Sequence, residues 1–209
     1  MPSQTTACSN SHLDFACAQA MVNFEVKENF ITEDEAEAIK NVEVREYGFR
    51  GRTLKRAPKQ GFYRNDRVVY SWGQHSSEHE REEQFPKWME QIAERLAEPV
   101  NHAIVIKYAH GTETHAPWHS DKSENLGRKT GCMKRGTGFY VISVGDPRLF
   151  QMGEKDNVCW ESKLPHRSML FISAENNVRY KHCVPQDSTW SGERWSLIFR
   201  TITKKRARE

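Results

Sequence analysis

The sequence predicts an α+β domain in which an antiparallel sandwich or barrel carries helices on one side. The chain has 209 residues, a length that suits one domain better than two. Its helical patterns lie early, whereas from about residue 101 onward short strand-like runs alternate with turn-forming residues. Two helices followed by a run of strands are typical of α+β architecture.

The first predicted helix begins at a capping box. Thr32 precedes Glu33-Asp34-Glu35, so its hydroxyl can accept a hydrogen bond from the Glu35 amide while the Glu35 carboxylate accepts one from the Thr32 amide. This pattern predicts a helix that runs to about Asn41. The preceding residues 22–26 alternate between apolar and polar types, as in a short strand.

A second helix is predicted by apolar residues at helical spacing. Pro86 lies near the expected start, where its missing amide hydrogen costs nothing, and Pro99 follows the expected end. The apolar residues that would form the buried face are Phe85, Trp88, Met89, Ile92 and Leu96.

Strand-like runs make up most of the remaining pattern. One run at residues 67–73 ends in a turn, and four more follow residue 101. These four cover residues 104–108, 138–144, 168–173 and 194–203. The sequence contains no internal repeat. We therefore expect one domain at residues 21–203, flanked by a flexible tail at 1–20 and a basic tail at 204–209.

Composition excludes several classes of protein. No stretch approaches the roughly 18 apolar residues of a membrane span, and residues 1–20 lack the basic and apolar regions of a secretory signal. The five cysteines are an odd number without a C-x-x-C pair, so neither a disulfide scaffold nor a zinc ribbon is expected. The sequence thus predicts a monomer in a reducing compartment, cytoplasmic or nuclear, without a membrane.

The net charge of +3 conceals three basic segments. Residues 45–67 contain eight Lys or Arg and two acids, residues 122–135 contain five and one, and residues 201–209 contain four and one. The rest of the chain is correspondingly acidic. Such segments indicate either a face that binds polyanions or merely solvated loops, and the charge pattern alone leaves both open.

His119-Ser120-Asp121 is a candidate pair of metal ligands. In a strand, side chains two residues apart emerge on the same face, so His119 and Asp121 could bind one ion. A distant histidine would complete a two-histidine, one-carboxylate triad, which binds non-haem Fe(II) and leaves positions open. The motif is short, and alone it predicts little.

Two later histidines are candidates for the third ligand. His102, His110 and His115 lie too close in sequence to His119 to come from an opposing strand. Of the remaining candidates, His166 precedes an apolar strand, whereas His182 falls where a strand could return to the site before Pro185 turns the chain away. This position favours His182.

The run Arg194 to Arg200 predicts a strand with two unlike faces. Trp195, Leu197 and Phe199 share one apolar face, and both arginines lie on the other. Burying arginine is costly unless it meets an anion, and a guanidinium pairs well with a carboxylate. A bound dicarboxylate would satisfy both arginines; the alternative is an edge strand with two solvated arginines.

The ordered set of these motifs resembles the AlkB family of Fe(II)/2-oxoglutarate dioxygenases across residues 22–203. The set consists of Tyr108-x-x-Gly111, His119-x-Asp121, His182 and Arg194-x5-Arg200. The helix-opening residues 29–37 are similar to the start of that family. The resemblance implies a double-stranded β-helix (jelly roll) core with N-terminal helices packed on one side.

The resemblance also implies a role for each matching residue. His119, Asp121 and His182 would hold Fe(II), while Arg194 and the Tyr108 hydroxyl would bind the distal carboxylate of 2-oxoglutarate. Arg200 would also belong to the 2-oxoglutarate site, near its metal-proximal end and close to the Asp121 carboxylate. The implied cofactors are Fe(II), the cosubstrate 2-oxoglutarate and O2.

The chain departs from the family pattern in three places. Ile106 and Ser196 stand where asparagines are usual, and each change removes an amide that normally contacts the cosubstrate. Ser196 can still donate a hydrogen bond to 2-oxoglutarate, but Ile106 cannot. Lys122-Ser123 stands where a second acid often follows the ligand pair.

In this family the region after the first helix forms a lid over the substrate, here about residues 45–76. Arginines interleaved with aromatic residues are what an extruded or single-stranded nucleotide requires, and residues 122–135 would lie at the rim of the same opening. The candidate substrate contacts are Tyr70, Trp72, Arg64, Arg67 and Phe62. Alternatively, Tyr70 and Trp72 are core residues and the arginines are solvated.

The resulting functional hypothesis is oxidation of an alkylated base in DNA or RNA, with N-demethylation that releases formaldehyde. The alternatives are hydroxylation of a 5-methylpyrimidine, a small metabolite or a protein side chain on the same scaffold, or a catalytically weak nucleic-acid-binding module.

Overall fold

The computed structural model describes residues 24–46, 48–49, 52–53, 57–65, 82–111, 113–154 and 157–203. These residues form two large β-sheets, a two-stranded ribbon, three α-helices and a short 3-10 helix at Glu124–Leu126. The helices are α1 (Glu33–Lys40), α2 (Lys87–Glu94) and α3 (Ala174–Arg179). The strands are β1 (Val26–Lys27), β2 (Gly48–Phe49), β3 (Arg52–Thr53), β4 (Lys59–Tyr63), β5 (Glu83–Gln84), β6 (His102–Ala109), β7 (Ala116–His119), β8 (Phe139–Gly145), β9 (Arg148–Glu154), β10 (Asn157–Leu164), β11 (Ser168–Ile172), β12 (Lys181–Val184) and β13 (Glu193–Arg200).

The larger sheet has the strand order β1-β11-β8-β13-β6-β4-β5 and faces a smaller sheet of order β10-β9-β12-β7. All pairings within the two sheets are antiparallel except β4 with β5. This is a double-stranded β-helix core of α+β class, as the sequence predicted. Strands β2 and β3 form a separate two-stranded ribbon.

Helix α1 begins with the predicted capping box. The Glu35 amide donates to the Thr32 hydroxyl and the Thr32 amide donates to the Glu35 carboxylate. Ala36 and Ile39 are buried on its inner face. Helix α2 follows Pro86 as expected and ends at Glu94, with Arg95 as its C-cap. Leu96, which was predicted on the buried face of the helix, lies just beyond its end but is still buried.

Strand β13 lies in the middle of the larger sheet, paired with β6 on one side and β8 on the other. Trp195, Leu197 and Phe199 face the helices and join the apolar core around α1 and α2. A second core lies between the sheets and includes Phe139, Phe150 and Met152. Because β13 has partners on both sides, the edge-strand alternative with solvated arginines is wrong.

The predicted strands at 104–108, 138–144, 168–173 and 194–203 correspond to β6, β8, β11 and β13. The last is shorter than expected, because past Arg200 only Ile202 makes an isolated bridge, to Met133. The predicted strand at 67–73 lies outside the described residues. Among those that are described, no helix is long and apolar enough to cross a membrane.

Candidate active site

A cavity of about 310 Å³ opens between the two sheets. The inner face of the larger sheet forms one wall, and β7, β12 and the residues after β7 form the other. The residues that line it include His119, Asp121, His182, Tyr108, Arg194, Ser196, Arg200, Ile106, His115, Lys59 and Lys122.

His119, Asp121 and His182 meet on one side of this cavity. One donor atom from each lies within 4.8 Å of the others. His119 and His182 are directly opposed in the β7–β12 pairing, and their ring centroids are 4.2 Å apart. Asp121 lies two residues beyond the end of β7, with its Oδ1 3.9 Å from His119 Nε2. The predicted pair therefore converges, although Asp121 is not in the strand itself.

A backbone carbonyl fixes the orientation of the His119 ring. Its Nδ1 lies 2.7 Å from the Pro117 carbonyl oxygen, which can only accept, so Nδ1 carries the proton. The lone pair is then on Nε2, the nitrogen that faces Asp121. Such a bond on the second nitrogen is typical of histidines that ligate metals.

Asp121 is held from two sides. Its backbone amide donates to the Asn177 side-chain oxygen, and the Asn177 amide donates back to the Asp121 carbonyl. Arg200 Nε lies 2.8 Å from its Oδ2. Burial alone would raise the pKa of Asp121, but the charge and hydrogen bond of Arg200, together with the adjacent His182 and His119, outweigh burial and hold that pKa below its usual 3.8. The carboxylate is therefore ionised at neutral pH.

His182 is buried beneath the aromatic rings of Phe139 and Phe150, whose centroids lie 5.4 and 5.6 Å from its own. Burial, with a further contribution from His119, lowers the pKa of His182 from 6.5 to about 3. The ring is thus neutral at physiological pH and has a lone pair for a metal ion.

Arg194 lies at the other end of the cavity and is directly opposite Tyr108 in the β13–β6 pairing. Its Nε donates to the Ser143 hydroxyl at 2.7 Å, and its Nη2 is buried without a hydrogen-bond partner among the described residues. Burial lowers the pKa of Arg194 to about 10, so the guanidinium stays charged at neutral pH. A buried cation with an unsatisfied N–H group suits a carboxylate.

Gly111 of the Tyr108-x-x-Gly111 motif is required by a close backbone contact. A Cβ at this position would lie 1.9 Å from the Asp187 carbonyl oxygen. The Gly111 amide donates to the Trp190 carbonyl, and the Gly111 carbonyl accepts from the Asp187 amide. This contact joins the loop after β6 to the loop before β13.

Two of the three departures from the family pattern, Ile106 and Ser196, lie in one row on the inner face of the larger sheet. Ile106 pairs with Ser196 on β13 and with Lys59 on β4. All three line the cavity. These three positions therefore provide one hydroxyl and one ammonium group, but no amide side chain.

Two of the predicted substrate contacts lie away from the cavity. Phe62 is buried in the core between the helices and the larger sheet. Arg64 points to α2, where its Nε lies 2.6 Å from Glu90. We therefore correct the assignment of both residues. Phe62 packs in the core because its side chain emerges on the helix-facing side of β4, and Arg64 forms an ion pair with Glu90. Tyr70, Trp72 and Arg67 lie outside the described residues.

His166, the alternative third ligand, is remote from the triad. It accepts from the Gly145 amide at Nδ1, and its Nε2 lies 3.1 Å from Glu33. Sequence reasoning missed the supporting residues Ser143, Asn177 and Arg148. None of the three belongs to a recognisable motif. A single sequence therefore carries no signal that separates them from other polar residues.

Two imidazoles and one carboxylate on the wall of a cavity form the donor set that non-haem Fe(II) oxygenases use, and this chain has that set on a double-stranded β-helix. The chain matches the family described as "2OG-Fe(II) oxygenase superfamily" over residues 23–205 and belongs to it. It is thus an oxidoreductase whose cofactors are Fe(II) and 2-oxoglutarate.

The fold is similar to that of a solved structure titled "The structure of OsALKBH1", which supports an AlkB-like architecture. The TM-score is 0.58 with 14% sequence identity, over 85% of this chain and 97% of the other. A comparison with curated proteins finds no match.

Proposed function

We propose that this oxygenase removes N-linked alkyl groups from bases in nucleic acid and releases the carbon as formaldehyde. The observation that carries the proposal is that the cavity holding the triad opens beside a basic segment, residues 122–135. Lys122 lines the cavity directly after Asp121. A polyanion that presents one base to the triad would lie along this segment.

In this proposal His119, Asp121 and His182 hold Fe(II), and Arg194 with Tyr108 binds the distal carboxylate of 2-oxoglutarate. Arg200 keeps Asp121 ionised and oriented, while Ser196 offers a hydroxyl to the cosubstrate. Bound iron supplies the oxidation of the substrate by O2, coupled to conversion of 2-oxoglutarate to succinate and CO2.

The basic segment is anchored to the body of the domain while its charged side chains remain exposed. The Met133 amide donates to the Lys122 carbonyl, and the Lys134 amide donates to the Thr201 carbonyl. The exposed basic residues are Arg128, Lys129, Lys134 and Arg135. Exposed positive charges on an anchored segment are well suited to phosphates on either side of a target base.

The last described residues of the chain pack against the basic segment. Met133 forms a bridge with Ile202, and the Thr203 amide donates to the Cys132 carbonyl. The exposed charges of the segment favour a polyanionic substrate over a small metabolite, because four exposed cations exceed what a small ligand would neutralise.

The proposal is tested by incubating the protein with Fe(II), 2-oxoglutarate and O2 on a panel of single-stranded DNA and RNA oligonucleotides that carry methylated bases. Mass spectrometry of the nucleosides and assays for formaldehyde and succinate are the measurements. We expect loss of an N-methyl base and release of an equimolar amount of formaldehyde. Asp121→Ala is the control, which should neither change the base nor release formaldehyde. Stable hydroxymethyl products would instead indicate a 5-methylpyrimidine substrate. If no base in the panel changes, a metabolite or protein side chain becomes the better candidate.

A further inference from the structure

A further buried guanidinium, besides those of Arg194 and Arg200, lies behind the Arg194 end of the cavity. Arg148 is the first residue of β9 and is 1% exposed. It shares the inner side of the smaller sheet with Phe150 and Met152, so it enters the space between the sheets rather than solvent.

Arg148 contacts two aromatic rings. Its guanidinium carbon lies 4.5 Å from the ring centroid of Trp190 and 5.5 Å from that of Tyr108. The guanidinium carbon of Arg194 lies 5.3 Å from the same Tyr108 centroid. Two positive charges therefore adjoin Tyr108, which lines this end of the cavity.

Arg148 also ties together the two loops that meet at Gly111. Its Nη2 donates to the Gly111 carbonyl at 3.0 Å and to the Pro185 carbonyl at 3.1 Å. These acceptors belong to the loops after β6 and before β13. Its Nε and Nη1 are buried and have no hydrogen-bond partner among the described residues. The positive charge is therefore only partly compensated.

We propose that Arg148 is a positioning residue that fixes Tyr108 and adds a second positive charge at the end of the cavity where the distal carboxylate of 2-oxoglutarate binds. This inference rests on the proposed cosubstrate site. It implies that Arg148 contributes to the preference for a dicarboxylic oxo acid over a monocarboxylic one of the same length. The positive potential that Arg148 adds also contributes to the lowered pKa of Arg194, after the larger effect of burial.

The test compares two ligands that differ only at the distal end. Binding of 2-oxoglutarate and of 2-oxopentanoate, which has a methyl group in place of the distal carboxylate, is measured by calorimetry on the full chain with Mn(II) under anaerobic conditions. Arg148→Gln should weaken binding of 2-oxoglutarate by about tenfold and change binding of 2-oxopentanoate less than about twofold. Arg148→Lys, which keeps the charge but cannot reach both carbonyls, should lie between wild type and Arg148→Gln.

Matched variants separate the possible failures. Arg179→Gln removes an exposed arginine that contacts the ring of Tyr180 and should leave both affinities unchanged. Arg194→Gln should abolish the preference for 2-oxoglutarate. If both Arg148 variants keep the wild-type ratio of affinities, the inference about Arg148 is wrong even if their melting temperatures fall. If wild type shows no preference between the ligands, the proposed cosubstrate site itself is wrong.

Discussion

Arg200 and Asp121 form a buried ion pair in which Nε lies 2.8 Å from Oδ2 and both side chains are 4% exposed. The pair links β13, a central strand of the larger sheet, to the segment that follows β7 in the smaller sheet. It therefore connects the fold directly to the metal centre.

Arg200→Met should strongly destabilise the metal-free protein. Removing one partner leaves a buried carboxylate without its cation, which costs about 3–5 kcal/mol of the free energy of unfolding. The double variant Asp121→Asn/Arg200→Met should recover part of this loss, because it removes the uncompensated charge. Urea unfolding at neutral pH measures both. Equal instability of the single and double variants would show that Arg200 acts through packing alone.

The triad makes a second prediction. His119→Ala, Asp121→Ala and His182→Ala should each abolish succinate formation and weaken Mn(II) binding, because each removes one donor of the cluster. His110→Asn is the matched control: His110 is exposed in the loop after β6 and has a positive φ of 55°, which asparagine tolerates. In metal titrations and succinate assays, this control should bind Mn(II) and form succinate as the wild type does. Wild-type turnover by any triad variant would exclude that residue as a ligand.

Parts of this site follow from the sequence for identifiable physical reasons. The alternation from Arg194 to Arg200 predicted which side chains face the cavity, because successive side chains of a strand point to opposite faces. Every residue on one face of this strand is apolar, so that face packs in the core and the arginines line the cavity. The capping box predicted the start of α1 because its two hydrogen bonds are local.

Other parts depend on contacts between distant segments. Strand patterning did not predict the bounds of the smaller sheet, although a returning strand was expected at His182. Its strands do not resemble strands in isolation: β7 contains Pro117, β10 is a largely exposed edge strand and β12 has only four residues. The convergence of His119 and Asp121 was predicted, but its cause is a turn held by Asn177, 56 residues away. Phe62 was misassigned because composition does not show which face of β4 is buried.

The pair Glu35 and Arg95 predicts a pH-dependent contribution to stability. Burial opposes ionisation of Glu35, but hydrogen bonds from Arg95 at 2.7 Å and from the Thr32 amide outweigh it and hold the pKa below its usual 4.5. Because the folded-state pKa is lowered, the stabilisation is present above about pH 4.5 and is lost as the pH falls through the folded-state value. Glu35→Gln should therefore be less stable than wild type by about 1 kcal/mol at pH 7.

Chemical denaturation of both proteins between pH 3 and pH 7 measures this difference, which should shrink below about pH 4.5. Glu37→Gln is the control. Glu37 is exposed, and its ion pair with the partly exposed Lys40, at 3.4 Å, should contribute little to stability. A difference between wild type and Glu35→Gln that is constant across this range would contradict the charge-based explanation.

Gly111→Ala should destabilise the protein and disturb the Arg194 end of the cavity, where 2-oxoglutarate is proposed to bind. The added methyl group would overlap the Asp187 carbonyl oxygen, so the two loops must separate. We expect a loss of more than about 2 kcal/mol in the free energy of unfolding and weaker binding of 2-oxoglutarate. Gly136→Asn is the control, because that glycine has a φ of 76° and open space around it. Thermal unfolding and calorimetry measure the two effects, and a variant as stable as wild type would show that the loops can separate freely.

Ile106 provides the last prediction, which concerns the departure from the family pattern. Ile106 lines the cavity between Ser196 and Lys59, so an amide at this position would point toward the space between the triad and Arg194. Ile106→Asn should tighten binding of 2-oxoglutarate by about three- to tenfold, the effect of one additional hydrogen bond of about 1 kcal/mol. Ile106→Leu preserves the apolar character and should bind as wild type does. Calorimetry with Mn(II) measures both affinities. If the asparagine variant binds no more tightly, 2-oxoglutarate does not pass close to Ile106, and Ser196 or Lys59 provides the contact instead.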